Sequence, residues 1–199
     1  MMNIMSTATT RKELSHERIV DVAARAIRRA GYRGVGVADI MKEAGLTHGG
    51  FYAHFASRDA LLVEAMERAS RDSETVLTEA MQRRLAKGSS RFAALVWAYL
   101  HESHLDHPDQ GCVVAALASE MTRQDADVRE EARRRVNDLI ALVRSTLPRG
   151  TDADQAAVVT ATMVGALQLA RTLDGKAGRA LLAQTRDALI QRHDAISPR

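Results

Sequence analysis

The 199-residue chain is 46% hydrophobic but only 4% aromatic, with three prolines, a formal net charge of +3 and one cysteine, Cys112. A mixture dominated by Ala, Arg, Leu and Glu disfavours β-rich folds, and a single thiol excludes an internal disulfide. The longest apolar runs, such as AALVWAYL ending at Leu100, are too short to cross a bilayer, and the start lacks the apolar core of a secretion signal, so the expectation is an all-α, cytoplasmic protein with no membrane partner.

The opening MMNIMSTATTRKE reads as a polar arm. Ser15 to Ala30 places Ile19, Val20, Ala23, Ala24 and Ile27 on one helical face, with Ser15 as N-cap and Gly31 as stop. A second helix runs from about Val37 to Ala44 and closes on Gly45; Thr47 caps a third, His48 to about Phe55, and Ser57 caps a fourth, Arg58 to about Ala86. Ser90 to about His107 follows, then a turn at HPDQG and a short helix, Cys112 to about Arg123. Asp125 to Leu147 repeats apolar residues at steps of four and three, and Asp152–Arg171 with Lys176–Ile196 makes a final hairpin. About nine helices result.

The stretch AGLTHGGFYAHFASRD is the least helix-like part of this pattern and the most informative. Two adjacent glycines weaken a helix by roughly 0.5–1 kcal/mol each relative to alanine, and three rings and a histidine follow at once. Two short helices around a glycine-containing turn suggest a helix-turn-helix, whose second helix sends its N-terminal residues toward base edges in the major groove. Bare backbone at Gly49 and Gly50 then allows close approach to phosphates or bases, and the helix N-terminus favours anions. Thr47 and His48 stand where side chains reach a duplex, Tyr52 and His54 offer polar tips, and Phe51 and Phe55 anchor the segment to a core. Charge agrees: residues 1–58 carry nine Lys/Arg against five Asp/Glu, a net +4 that leaves −1 for the remainder.

The run VADIMKEAGLTHGGFYAHFASRDALL resembles the DNA-binding signature of TetR/AcrR-type transcriptional regulators, and the likeness covers roughly Ile19 to Leu62. That resemblance implies a three-helix DNA-binding domain within residues 1–58, joined to a larger helical domain, 59–199, that binds an effector and dimerises. It also implies phosphate and base contacts at Thr47, His48, Gly49, Tyr52, His54 and Arg58. The family usually opens the second helix with threonine, where this chain has Gly36, so that contact is not carried over.

In the larger part, Val159, Met163 and Leu167 on one helix and Leu182 and Leu189 on the next form stripes that either cap the core or face a second copy; the resemblance favours a homodimer. By the same resemblance an effector pocket lies among the central helices, with Trp97, Tyr99, Leu100, His104, Cys112, Leu117 and Met121 as candidates, suited to a moderately apolar or aromatic compound. Cys112, at the start of a short helix, has three readings: a reactive electrophile or oxidant sensor, a pocket residue, or a small core residue. His101, His104 and His107 at steps of three drift around a helix and read as a polar face rather than a metal site.

The function these features imply is a ligand-responsive repressor that binds a palindromic operator in double-stranded DNA as a dimer, needs no cofactor, and is released by a small molecule. The alternatives are a Cys112-based sensing repressor, a helical thiol or metal enzyme, which lacks a nucleophile motif here, and an architectural DNA binder, which would not need some 140 further residues.

Overall fold

A computed structural model describes residues 10–194. Among these residues the fold is all-α, with nine helices and no strand: α1 (Arg11–Ala30), α2 (Val37–Glu43), α3 (Arg58–Leu85), α4 (Arg91–Tyr99), α5 (Ser103–Asp106), α6 (Val113–Met121), α7 (Ala126–Thr146), α8 (Gln155–Leu173) and α9 (Gly175–His193). Two 3₁₀ turns, His48–Ala53 and Pro108–Gln110, complete it.

The first helix starts a turn earlier than Ser15. Thr10 Oγ1 accepts the Glu13 N–H at 3.2 Å while the Glu13 carboxylate accepts the Thr10 N–H at 2.6 Å, a reciprocal cap that satisfies two orphan donors. Ser15 is therefore interior, donating to the Arg11 carbonyl. Of the expected polar arm, residues 1–9 lie outside the described residues. The apolar face of α1 is buried as its spacing implies.

Helix α2 packs on α1, and the 3₁₀ turn His48–Ala53 packs on α2. Gly36 opens α2 with no side-chain cap, and Gly45 turns the chain at φ +71. Ser57 caps α3 through the Ala60 N–H at 3.1 Å. Leu61, Leu62, Ala65, Met66 and Ala69 are buried along the first half of α3, which packs on α1; farther on, α3 packs on α4 and α7. Both halves of the chain thus share one 28-residue helix.

A clamp joins them at the end of α1. The Tyr32 N–H donates to Glu120 Oε2 at 3.2 Å, its carbonyl accepts from the Arg58 guanidinium, and its hydroxyl donates to Met66 Sδ at 2.9 Å. Gly31 makes this possible twice over: it adopts φ +73, and a Cβ there would stand 2.2 Å from Glu120 Oε1.

The expected helix from Ser90 to His107 divides. Leu100 leaves the helical region at φ −94, ψ 34, and His101 Nδ1 accepts the Ser103 N–H at 3.2 Å, a local substitute for the next helical bond. The three histidines consequently do not share a helix face, and no metal-holding group of His, Cys, Asp or Glu occurs among the described residues. The expected end of the last helix at Ile196 lies outside the described residues.

The stripes assigned to a partner copy are instead inside this chain. Val159, Met163 and Leu167 are each 0% exposed, and Leu182 and Leu189 are also buried, because α8 turns this face toward α7 and α9. What α8 leaves outside is another strip, with Val158, Leu169 and Leu173 all more than half exposed. By length and composition α8 also passes as a membrane span, but its buried face is that of a core helix.

Candidate nucleic-acid interface and central cavity

In the segment from Thr47 to Phe55, His48–Ala53 forms a 3₁₀ helix, tighter than the α-helix expected there. Its inner side is aromatic. Phe51 and Phe55 are 2% and 3% exposed and stack with centroids 5.5 Å apart, and Phe55 stacks in turn on the His16 ring at 4.5 Å. His16 Nε2 is 2.6 Å from Glu64 Oε2, so the packing is pinned to both α1 and α3. Its outer side carries Thr47, His48 and Gly49, all exposed, and Tyr52, 75% exposed and held edge-on against Phe51.

Neither glycine is demanded by the chain itself. Gly49 and Gly50 do not have positive φ. A Cβ on Gly49 would meet nothing within 4 Å, and one on Gly50 would make ordinary contacts at 3.7 Å with Met41 Cε and Thr47 Oγ1. The open space lies outside the molecule.

Two predicted contacts are placed differently. Arg58 is half-buried and donates to the Tyr32 carbonyl, so its guanidinium braces the domain rather than reaching outward. His54 is also half-buried, with Nδ1 enclosed and unpartnered; burial, then the nearby His16 and Lys12, hold its pKa below the ordinary value. Of the seven expected DNA-contacting residues, the outer face brings together Thr47, His48, Gly49 and Tyr52, with Gly50 at its edge.

In the other half a cavity of about 300 Å³ lies between α3, α4, α5, α6 and α7. Tyr99, His104 and Cys112 meet at it, joined by Ser70 and Leu77 of α3 and by Arg135 and Leu139 of α7. Leu100, Leu117 and Met121 do not line it; they are core residues, since helix faces of the same apolar character point both ways here. Trp97 is on the other side of α4, against Arg84 and Arg186. The sequence names Leu139 and Val143 of α7 among the central helices but not the polar residues of its wall, although RRRVNDLI carries Arg135 and Asp138 one turn apart.

The cavity is unusual in its unsatisfied groups. Tyr99 Oη, His104 Nδ1 and Ser70 Oγ are buried without a hydrogen-bond partner, whereas the buried Arg135 Nε pairs with Glu131 Oε1 at 2.8 Å. Buried polar atoms are paired in the great majority of cases. Burial, with the neighbouring Cys112 adding to it, keeps Tyr99 well above its ordinary pKa, so it stays a donor. Burial, then Arg171 and His101, bring His104 down to about 4, so it is neutral near pH 7. Arg171 Nε and Nη2 both donate to the His104 carbonyl at 3.3 Å.

Comparison with known proteins assigns the chain from both ends. The pattern of bacterial regulatory proteins of the tetR family matches residues 19–65, and that of the tetracyclin repressor-like C-terminal domain matches residues 88–191, more than half the chain by itself. The chain belongs to the TetR family. Among similar TetR-family proteins is the HTH-type transcriptional repressor NemR of Escherichia coli K12, 26% identical over 122 residues, a match that takes in 61% of this chain and 61% of that relative. A TetR transcriptional regulator from Chloroflexus aurantiacus superposes with TM-score 0.75 at 25% identity over 92% of this chain and 96% of its own. The reduced form of E. coli NemR gives 0.72 at 20% identity, covering 89% and 95%, and agrees in fold. TetR-family proteins are regulators rather than enzymes.

Proposed function

We propose that this TetR-family chain is a cytoplasmic transcriptional repressor that binds a palindromic operator in double-stranded DNA as a homodimer and is released by a small molecule entering the central cavity. The observation that carries the DNA reading is the pair of glycines that neither backbone nor packing requires, beside exposed Thr47, His48 and Tyr52 on an aromatic base. Backbone N–H groups at such a turn reach phosphates, and Tyr52 adds a hydroxyl to them. His48 is placed to meet base edges.

A single turn reads few base pairs, so two copies are needed for an operator. The exposed strip Val158, Leu169 and Leu173 on α8, with Gly165 open on the same helix, supports a two-fold pairing there. Effector release is supported by the three orphan polar atoms at the cavity, Tyr99 Oη, His104 Nδ1 and Ser70 Oγ, which a ligand with donors and acceptors would satisfy. A second reading rests on Cys112, which stands at the N-terminus of α6 in the cavity wall beside Tyr99: modification of this thiol would occupy the same space.

Selection of duplexes bound from a random pool tests the main reading. A palindrome with half-sites about one helical turn apart is the expected result; retention of no sequence over random DNA even at low salt overturns it. Comparing release by a quinone in the parent and in Cys112→Ser separates the two forms of regulation, since equal release in both removes the thiol.

A further inference from the structure

Beyond the wall formed by Leu77 and His104, which also line the central cavity, lies a second hollow of about 310 Å³. Along it run Val76, Ala80 and Trp97, and at one end stand Arg83, Arg84 and Lys87, with no Asp or Glu in the lining. Val76 is 49% exposed, so an apolar strip faces solvent here.

Cations in the last turn of α3 complement the helix dipole, which accounts for Arg83 and Arg84 being basic. It does not account for how they are used. The Arg84 guanidinium carbon lies 3.7 Å from the centre of the Trp97 ring, and that of Arg186 lies 3.5 Å from it. One indole thus attracts two guanidinium groups that repel each other. Arg83 reaches Glu79 only at 3.9 Å and Arg186 pairs with its neighbour Asp187, but among the described residues no carboxylate pairs with Arg84 or Lys87. The two guanidinium groups take opposite faces of the indole, so the hollow has a positive end, an indole edge and an apolar flank, with no carboxylate in its lining.

We propose that this groove is a second ligand site, separate from the central cavity, that takes an amphiphilic organic anion: a carboxylate at Arg84 and Lys87, and a short acyl or aromatic body along Val76, Ala80 and Trp97. A nucleic acid fits less well, because phosphates leave the apolar flank uncovered and the groove lies at the far end of α3 from the His48 turn.

Trp97 is the only tryptophan in the sequence, so its emission reports on this groove alone. The full-length protein is titrated with octanoate and with octanol, its uncharged counterpart, and calorimetry repeats each comparison independently of the indole. Octanoate should give a saturable change, with octanol and the Arg84→Gln/Lys87→Gln variant each weaker by roughly tenfold or more, the scale of a lost charge-assisted hydrogen bond. Tyr99→Phe, in the central cavity, should titrate like the parent. The proposal is overturned by equal response to octanol, by an unchanged affinity in the double variant, by no response to octanoate, or by a response that Tyr99→Phe abolishes.

Discussion

The His48–Ala53 turn and the central cavity treat polar and aromatic side chains in opposite ways. In the turn, one short stretch supplies both sides: rings at Phe51 and Phe55 pack inward, against each other and His16, and polar atoms at Thr47, His48 and Tyr52 point out to water. In the cavity, five helices each contribute one or a few residues, and Tyr99, His104 and Ser70 hold buried polar atoms without partners. Under the proposed function, a surface that meets a duplex keeps its donors hydrated until the duplex arrives, whereas a cavity that takes a small molecule holds its donors away from water. The first arrangement is stable by itself; the second leaves stability unused.

The contrast can be broken most severely at the aromatic base. Phe51→Ala should cost about 3–5 kcal/mol, read as a fall in thermal midpoint of about 2–4 °C for each kcal/mol, while Leu139→Ala on the cavity wall should fall near the low end of about 2 kcal/mol. Equal losses would mean the cavity wall is packed as tightly as the turn. Next comes pH. The folded state holds His104 at about 4 against an ordinary 6.5, so the unfolded chain binds its proton first and stability drops as pH falls through that window. From pH 7.5 to 5 the loss from His104 should be about 2 kcal/mol, and chemical denaturation of His104→Phe should show a shallower pH dependence.

Tyr52→Ala should weaken DNA binding roughly tenfold on operator and random duplexes alike, as loss of a phosphate contact does, without moving the thermal midpoint, since the residue is 75% exposed. A change confined to the operator would move Tyr52 to base reading. Tyr99→Phe removes a buried hydroxyl whose polar neighbour is the Cys112 thiol, a weak partner, and should change stability by no more than about 1 kcal/mol; a clear loss would show a strong hydrogen bond at that hydroxyl. Smallest, and most pointed, is Gly49→Ala. Open space and a negative φ should let it stabilise the fold by about 0.4–1 kcal/mol, while electrophoretic retention of operator DNA falls.

How much the sequence discloses follows this same division. Local chemistry was legible: the turn glycine Gly45, the Ser57 cap and the inward Phe51 and Phe55 are set by neighbours within a few residues, and all are found where spacing puts them. Long-range placement was not. Arg58 looks like a phosphate contact until Tyr32, 26 residues earlier, offers it a carbonyl. Leu100, Leu117 and Met121 have the same apolar character as cavity-lining Leu77 and Leu139, and only the tilt of neighbouring helices decides which face a void. The stripe Val159–Met163–Leu167 has the right period for an interface or a core, and α8 resolves it by turning those residues inward and leaving Val158, Leu169 and Leu173 outside.

The length of α3 has a mechanical consequence. Leu77 forms part of the wall between the two hollows, and Arg58 stands nineteen positions earlier in the same unbroken helix, about 28 Å away at 1.5 Å per residue. A tilt of only about 5° pivoting near Leu77 sweeps the Arg58 end through about 2.5 Å. In the homodimer proposed above the two swings would add, so on that reading a displacement too small to disturb the packing around a bound molecule would suffice to carry two fingertips off the rungs they were spaced to grip.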